Sequence, residues 1–233
     1  MMKKNSLARS LLFVVPLLLS TSTQAGFYVG ATRLVYNESA KNTHVKVGNK
    51  STKDIYLIQS WIEPDSSTVA STKSFVITPP LFRLNEKEDN ALRVVFVGNK
   101  SELPQDRESL FWVNIKAIPA QKKSDEHKNL LSFAFNNKIK LFYRPQGLTL
   151  NPDEAYQKLS LTKSGSELVI SNPTPYHMTL SQLNSGNQPL IKEPLMIAPK
   201  QQKVLPISSK MTSVVWETIT DYGGRTPKQI TQL

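Results

Sequence analysis

Three histidines and two lysines are the residues of this sequence whose types and spacing could do chemistry. The histidines lie far apart in the chain and form neither an HExxH motif nor a pair at metal-ligand spacing: His44, His127 and His177. No GxSxG motif occurs, so a hydrolase would need a Ser-His-Asp set that is assembled only in space. The sequence therefore predicts a protein that is not an enzyme and that uses no cofactor and no metal.

The two lysines, Lys138 and Lys140, lie in the run "LSFAFNNKIKLFYRP", residues 131–145. Lys140 is placed between Ile139 and Leu141, so a strand that buries these neighbours would also remove part of the hydration of Lys140. A partly desolvated ammonium group favours an anion close by. Lys138 is the weaker candidate and is predicted to be a solvated neighbour.

This run has apolar residues at most odd positions, which is the pattern of a β-strand with one apolar face. A strand of fifteen residues would span about 50 Å, well beyond the usual length, so we expect a bend or a partner outside the domain. The apolar face either packs in the core of its own domain or lies on an edge strand that faces a partner's groove. Alternation alone leaves both interpretations open.

The elements around this run predict an all-β protein. Seven extended segments follow Gly26, and six more follow the stretch "RPQGLTLNPDEA", whose prolines and glycine indicate a hinge near residues 145–152. We expect two immunoglobulin-like β-sandwich domains, residues 26–147 and residues 148–233. A polar loop is predicted at residues 120–129.

The first 25 residues have the features of a cleavable secretory signal, with lysines before an apolar segment and an Ala at the exit. Its removal lowers the formal charge from +11 to +8. No second long apolar run follows, and the scattered cations form no basic helix, so we expect an exported protein without membrane insertion and without nucleic acid as a partner. The chain has no cysteine, and its stability must therefore come from packing.

Several blocks of the sequence resemble the periplasmic pilus (fimbrial) assembly chaperones of the chaperone–usher pathway. They are "GATRLVY", "ITPPLFRL", "DRESLFWVNIKAIP", "NNKIKLFYRP", "NPTPYHMTL" and "DYGGR", in family order over nearly the whole mature chain. The resemblance implies two immunoglobulin-like domains arranged as an L or boomerang. It also implies a periplasmic location, and pilin subunits and an outer-membrane usher as partners.

The resemblance assigns roles to individual residues. The donor strand, which completes the open fold of a pilin, would present Leu131, Phe133 and Phe135 to the subunit. Arg33 and Lys140 would bind the C-terminal carboxylate of the subunit. A salt-bridge network that holds the two domains at their angle would consist of Glu108, Arg144 and Asp221.

The cysteine content of this sequence departs from the pattern of the family, and the length of one loop indicates a subgroup within the family. Many relatives carry a disulfide in the second domain, or a cysteine pair that brackets a long loop before the donor strand, and this sequence has neither. The moderate length of the loop at residues 120–129 favours the short-loop subgroup. The sequence leaves open whether the unloaded protein self-associates to hide its edge strand. The alternative functions are a secreted β-sandwich with a structural or adhesive role and a hydrolase with a spatially assembled site.

Overall fold

The computed structural model describes residues 26–66, 73–121 and 131–233, which form two β-sandwiches. The predicted signal peptide and most of the predicted loop at residues 120–129 lie outside the described residues. The first sandwich contains nine strands: β1 (Phe27–Val29), β2 (Arg33–Asn37), β3 (Thr43–Asn49), β4 (Tyr56–Pro64), β5 (Phe75–Thr78), β6 (Leu81–Leu84), β7 (Asp89–Phe96), β8 (Ser109–Pro119) and β9 (Phe135–Arg144). The second contains eight: β10 (Ser160–Ser164), β11 (Glu167–Asn172), β12 (Met178–Ser185), β13 (Gln188–Pro189), β14 (Leu195–Ile197), β15 (Gln201–Pro206), β16 (Ser213–Thr218) and β17 (Gln229–Gln232).

The first sandwich packs a sheet of order β1-β3-β7-β5 against a sheet of order β2-β9-β8-β4-β6. Alternate residues of the strands face the core between the sheets, as in β8, where Val113, Ile115 and Ala117 are fully buried. On β9 the core face continues with Leu141 and Tyr143, which are also fully buried. A 3-10 helix, Lys100–Glu102, lies between β7 and β8.

The segment "FYVGATRLVY", which reads as one strand in the sequence, forms two strands in different sheets. β1 pairs antiparallel with β3, whereas β2 pairs parallel with β9. The change occurs at Gly30, whose backbone N donates to the carbonyl of Lys46 at 2.8 Å. A Cβ at Gly30 would lie only 3.3 Å from Cβ and from the carbonyl oxygen of Lys46, so glycine allows this close approach.

The run at residues 131–145 is not one overlong strand. β9 covers ten of its residues, from Phe135 to Arg144, and residues 131–134 before it have no regular secondary structure. The strand is therefore shorter than the alternation suggests, because the pairing with β8 begins only at Phe135.

The second sandwich packs a sheet of order β10-β11-β15 against a sheet that contains β13, β12, β16 and β17, with β14 also paired to β12. Its separate core contains the fully buried Leu168, Ile170, Leu180 and Leu183. A second 3-10 helix, Ala155–Lys158, precedes β10. The all-β fold with two immunoglobulin-like sandwiches is confirmed, whereas the boundary between residues 147 and 148 stays a prediction.

Candidate functional site

The first half of β9 has one unpaired edge. On one side β8 pairs with β9 from Phe135 to Tyr143, whereas on the other side β2 pairs only with residues 140–144. In the part of the chain that the structure describes, no strand pairs with residues 135–139 on that second side. A row of backbone N–H and C=O groups is therefore open to another strand.

Of the predicted donor residues, Phe135 lies in β9 at this open edge, whereas Leu131 and Phe133 lie in the segment before the strand. The side chains of Leu131, Phe133 and Phe135 are 81%, 63% and 59% exposed. Phe135 shares its face of β9 with the core residues Ile139 and Leu141, but it lies beyond the end of the core. An apolar row exposed beside an unpaired edge is a surface that normally requires a partner.

Arg33 and Lys140 are direct neighbours on the parallel strands β2 and β9, where their Cα atoms are partners in the register. Arg33 is buried and Lys140 is half-buried. Burial lowers the pKa of Lys140, and the positive charge of Arg33 lowers it further. Among the described residues no carboxylate forms an ion pair with Lys140, so two adjacent cations lie in a partly desolvated place without a direct counter-ion.

The guanidinium of Arg33 keeps free donor capacity. Its Nη1 donates to the backbone carbonyl of Ile219 at 3.3 Å, and its buried Nε has no hydrogen-bond partner among the described residues. Burial lowers the pKa of Arg33, and the more distant charges of Asp221 and Glu108 oppose this effect. A planar guanidinium beside an ammonium group suits a carboxylate, which accepts hydrogen bonds from both.

Lys138 differs from Lys140 because its charge is already neutralised. Its ammonium group forms an ion pair with Glu63, and it also lies 5.1 Å from the ring centroid of Trp112. The hydrogen bond from Lys138 lowers the pKa of Glu63. Of the two lysines in this run, Lys140 is therefore the one without an ion pair among the described residues.

The three residues of the predicted interdomain network lie in contact. Arg144 donates through Nε and Nη2 to Oε1 of Glu108, at 2.8 and 2.7 Å, and through Nη1 and Nη2 to the carboxylate of Asp221, at 2.7 and 3.1 Å. Burial lowers the pKa of Arg144, but the hydrogen bonds and charges of Asp221 and Glu108 outweigh it and raise the pKa. Glu108 directly precedes β8 and Arg144 is the last residue of β9, whereas Asp221 follows β16, so the network connects the two sandwiches.

His177, which immediately precedes β12, extends this network. Its backbone N donates to Oε2 of Glu108 at 2.8 Å, and its Nδ1 lies 3.2 Å from the same oxygen. The turn before it is fixed by the buried Asn172, whose side-chain amide donates to the carbonyls of Tyr176 and Ile197. Glu108 thus binds Arg144 through one carboxylate oxygen and His177 through the other.

A cavity of about 690 Å³ opens between the sandwiches beside this network. Its lining includes Arg33, Arg144 and Asp221, and Tyr222, which is 93% exposed at the tip of a turn. The turn is closed by the backbone N of Gly223, which donates to the carbonyl of Thr220 at 3.0 Å. Gly223 has a φ of 82°, a conformation that favours glycine. Arg33 therefore borders this cavity, whereas Lys140 is not among its lining residues.

The histidines form no catalytic arrangement in the described part of the chain. His44 is partnered in register with Arg93 on an exposed face of β3, His177 belongs to the network, and His127 lies outside the described residues. Within residues 26–66, 73–121 and 131–233, no group of three or more acidic and histidine side chains could hold a metal ion. In the same ranges no helix is both long enough and apolar enough to cross a membrane.

Two sandwiches joined by an ion network, with an unpaired strand edge and two adjacent cations where that edge ends, define the class of this two-domain β protein. Residues 26–149 match the family described as pili and flagellar-assembly chaperone, PapD N-terminal domain, and residues 154–230 match the pili assembly chaperone PapD, C-terminal domain. The chain belongs to this family of pilus assembly chaperones, and the resemblance predicted from the sequence blocks is confirmed.

Individual relatives agree with this assignment. The chain is 44% identical over 204 residues to the chaperone protein FocC of Escherichia coli, covering 87% of this chain and 88% of that protein. It is 39% identical over 223 residues to the chaperone protein FimC of Escherichia coli K12, covering 95% and 90%.

Solved structures show the same fold. The periplasmic chaperone SfaE is 41% identical, with a TM-score of 0.73 and coverage of 88% of this chain and 98% of that chain. The complex described as the Salmonella enterica SafA pilin with the SafB chaperone matches with 29% identity and a TM-score of 0.78, covering 91% and 98%.

The sequence did not predict three contributors to this site. The ring of Phe142 contacts Arg33 within the first sandwich. The backbone carbonyl of Ile219 contacts Arg33, and His177 contacts Glu108, across the junction. A buried aromatic residue and a histidine at a strand start carry no signal of their own, since both are common in ordinary cores.

Proposed function

We propose that this protein is a periplasmic chaperone that binds, folds and caps pilus subunits by donor-strand complementation and delivers them to an outer-membrane usher. It acts without catalysis and without nucleotide. The observation that carries the proposal is the unneutralised pair of Arg33 and Lys140, which lies where the unpaired edge of β9 ends.

The geometry of β2 and β9 sets the direction of the incoming strand. β2 runs parallel to β9 and occupies its edge from Lys140 onward, so a subunit strand can pair only with the part before Lys140. If that strand runs parallel to β9, it ends where β2 begins, and its C-terminal carboxylate meets Arg33 and Lys140. An antiparallel strand would bring its N-terminal side to the two cations instead, so the charges favour the parallel orientation.

The donor residues supply the apolar part of the interaction. Backbone pairing along β9 adds a strand to the subunit, and alternate side chains enter its groove. Leu131, Phe133 and Phe135 share one parity, and they are exposed in the free protein. A subunit that covers them removes a large apolar surface from water.

The anchor fixes the register of this pairing. A charge-assisted hydrogen bond contributes about 1.5 to 3 kcal/mol, so the loss of either cation should weaken binding by roughly 10- to 150-fold. A slip of one residue would turn every donor side chain away from the groove. The network of Glu108, Arg144 and Asp221 holds the second domain against this anchor.

A structural or adhesive module is the less favoured function. Such a module should keep Leu131, Phe133 and Phe135 in its own core, whereas they are the apolar residues of this region that are most exposed.

The test is co-expression of the chaperone with candidate pilins in a bacterial periplasm, followed by purification of the complex. We expect Arg33→Ala and Lys140→Ala to lose the subunit while their melting temperatures stay near that of the wild type. Lys138→Ala is the matched control, because Lys138 is already paired with Glu63, and it should retain the subunit. If either anchor variant retained wild-type subunit binding, the anchor assignment would be wrong.

A further inference from the structure

Phe142 connects the anchor to the second sandwich. It is 2% exposed and lies two residues after Lys140 in β9. The guanidinium carbon of Arg33 lies 5.9 Å from the centroid of the Phe142 ring, within the range of a cation–π contact. The ring of His177 stacks on the same phenylalanine, with centroids 5.1 Å apart and an interplanar angle of 26°.

His177 is itself held firmly. Its side chain is 6% exposed, and its backbone N and Nδ1 both contact the buried carboxylate of Glu108. That carboxylate is in turn fixed by Arg144, which also binds Asp221. The position of the imidazole ring is therefore determined by the second domain and by the ion network together.

Arg33, by contrast, has few contacts of its own. Besides the Phe142 ring, its guanidinium has one hydrogen bond, of 3.3 Å, to the carbonyl of Ile219, and its Nε has no partner among the described residues. Ile219 belongs to the second domain. One of the two contacts that orient the Arg33 guanidinium therefore comes directly from the second domain. The other is to the Phe142 ring of its own domain, on which His177 of the second domain stacks.

We propose that His177 is a positioning residue for the anchor, which holds Arg33 beside Lys140 by supporting the ring of Phe142. The anchor is then complete only while the two domains are docked. The purpose of this arrangement rests on the proposed function, but the arrangement itself can be tested in the free protein.

The test is an NMR titration of the Lys140 ammonium group in the free, full-length mature protein. Because Arg33 contributes to the lowered pKa of Lys140, a displaced Arg33 lets that pKa rise. Arg33→Gln is the positive control and should raise the pKa of Lys140 by about half a unit or more. His177→Ala should give most of this rise, whereas His177→Phe, which keeps a stacked ring, should keep the wild-type value.

Two results would overturn the proposal. One is that Arg33→Gln raises the pKa of Lys140 while His177→Ala leaves it unchanged; the other is that Arg33→Gln itself has no effect. A dispersed amide spectrum verifies that each variant is folded, and Phe142→Leu replaces His177→Ala if the latter fails to fold, with the same expected rise. No subunit takes part in this experiment, so a failure of the subunit-binding assay would leave its result intact.

Discussion

Arg144 and Asp221 lie in different domains and share two hydrogen bonds, of 2.7 and 3.1 Å. The same guanidinium binds Glu108, whose carboxylate is only 1% exposed. Among the described residues, Arg144 is therefore the one cation that forms ion pairs with both carboxylates at the domain junction, and Arg33 adds a more distant charge.

Replacement of Arg144 should destabilise the protein strongly. Arg144→Ala leaves the buried carboxylate of Glu108 without its cation, and the loss of one member of a buried pair costs about 3 to 5 kcal/mol. Chemical denaturation followed by tryptophan fluorescence measures this change in the free energy of unfolding. The matched control is Arg107→Ala, because Arg107 pairs with Asp106 on the surface, and its effect should stay within about 0.5 kcal/mol. Equal effects of the two substitutions would contradict a structural role of the network.

Removal of the Lys140 charge should stabilise the free protein near neutral pH. The pKa of Lys140 is lower in the folded protein, because of burial and because of Arg33, than its ordinary value of 10.5. Between these two values the unfolded chain binds more protons, so the contribution of Lys140 to the free energy of unfolding rises with pH in this window. Below this pH range the charged side chain of Lys140 lowers the free energy of unfolding.

The comparison of the wild type with Lys140→Met isolates this effect from other titrating groups. We expect the methionine variant to unfold at higher denaturant concentration at pH 7, and its advantage to shrink as the pH approaches 10.5. Denaturation curves at a series of pH values measure the difference. A methionine variant that is less stable at pH 7 would mean that Lys140 has a counter-ion in the free protein.

The exposed donor residues and the core residues further along β9 should respond differently to the same substitution. Phe133→Asp places a charge on a side chain that is 63% exposed, so it should change the melting temperature by only one or two degrees while it abolishes subunit binding. The side chain of Leu141 is fully buried, so Leu141→Asp should prevent folding because it would place an unpaired carboxylate in the core. Thermal melts and co-purification assays separate the two effects. A large loss of stability in Phe133→Asp would place this side chain in the core instead.

Much of the fold follows from the sequence because period-2 alternation and turn residues mark most strands. The division of "FYVGATRLVY" between two sheets was missed, since apolar residues continue across Gly30 and only the close approach to Lys46 shows the break. The alternation also does not show where β9 begins, for a related reason. Alternation describes the faces of a chain segment, whereas the end of a strand depends on where its neighbour stops pairing.

The site was only partly predictable. Alternation could not show whether Phe133 and Phe135 face a core or a partner, because both situations produce the same pattern; the matched sequence blocks favoured the partner. The contact of His177 with Glu108 joins residues that are 69 positions apart. Such a contact depends on the docking of two domains, and no local pattern encodes it.

The parallel pairing of β2 with β9 has a consequence for the length of the bound subunit strand. β2 takes the edge from Lys140 onward and leaves residues 135–139 of the strand, a stretch of about 17 Å at 3.3 to 3.4 Å per residue. In the proposed binding mode this stretch of β9 sets the length of the paired subunit strand, which must end at Arg33. A subunit that carries extra residues after its natural C-terminus would run into β2, so the chaperone would select its clients by where their chains end as well as by what fills the groove.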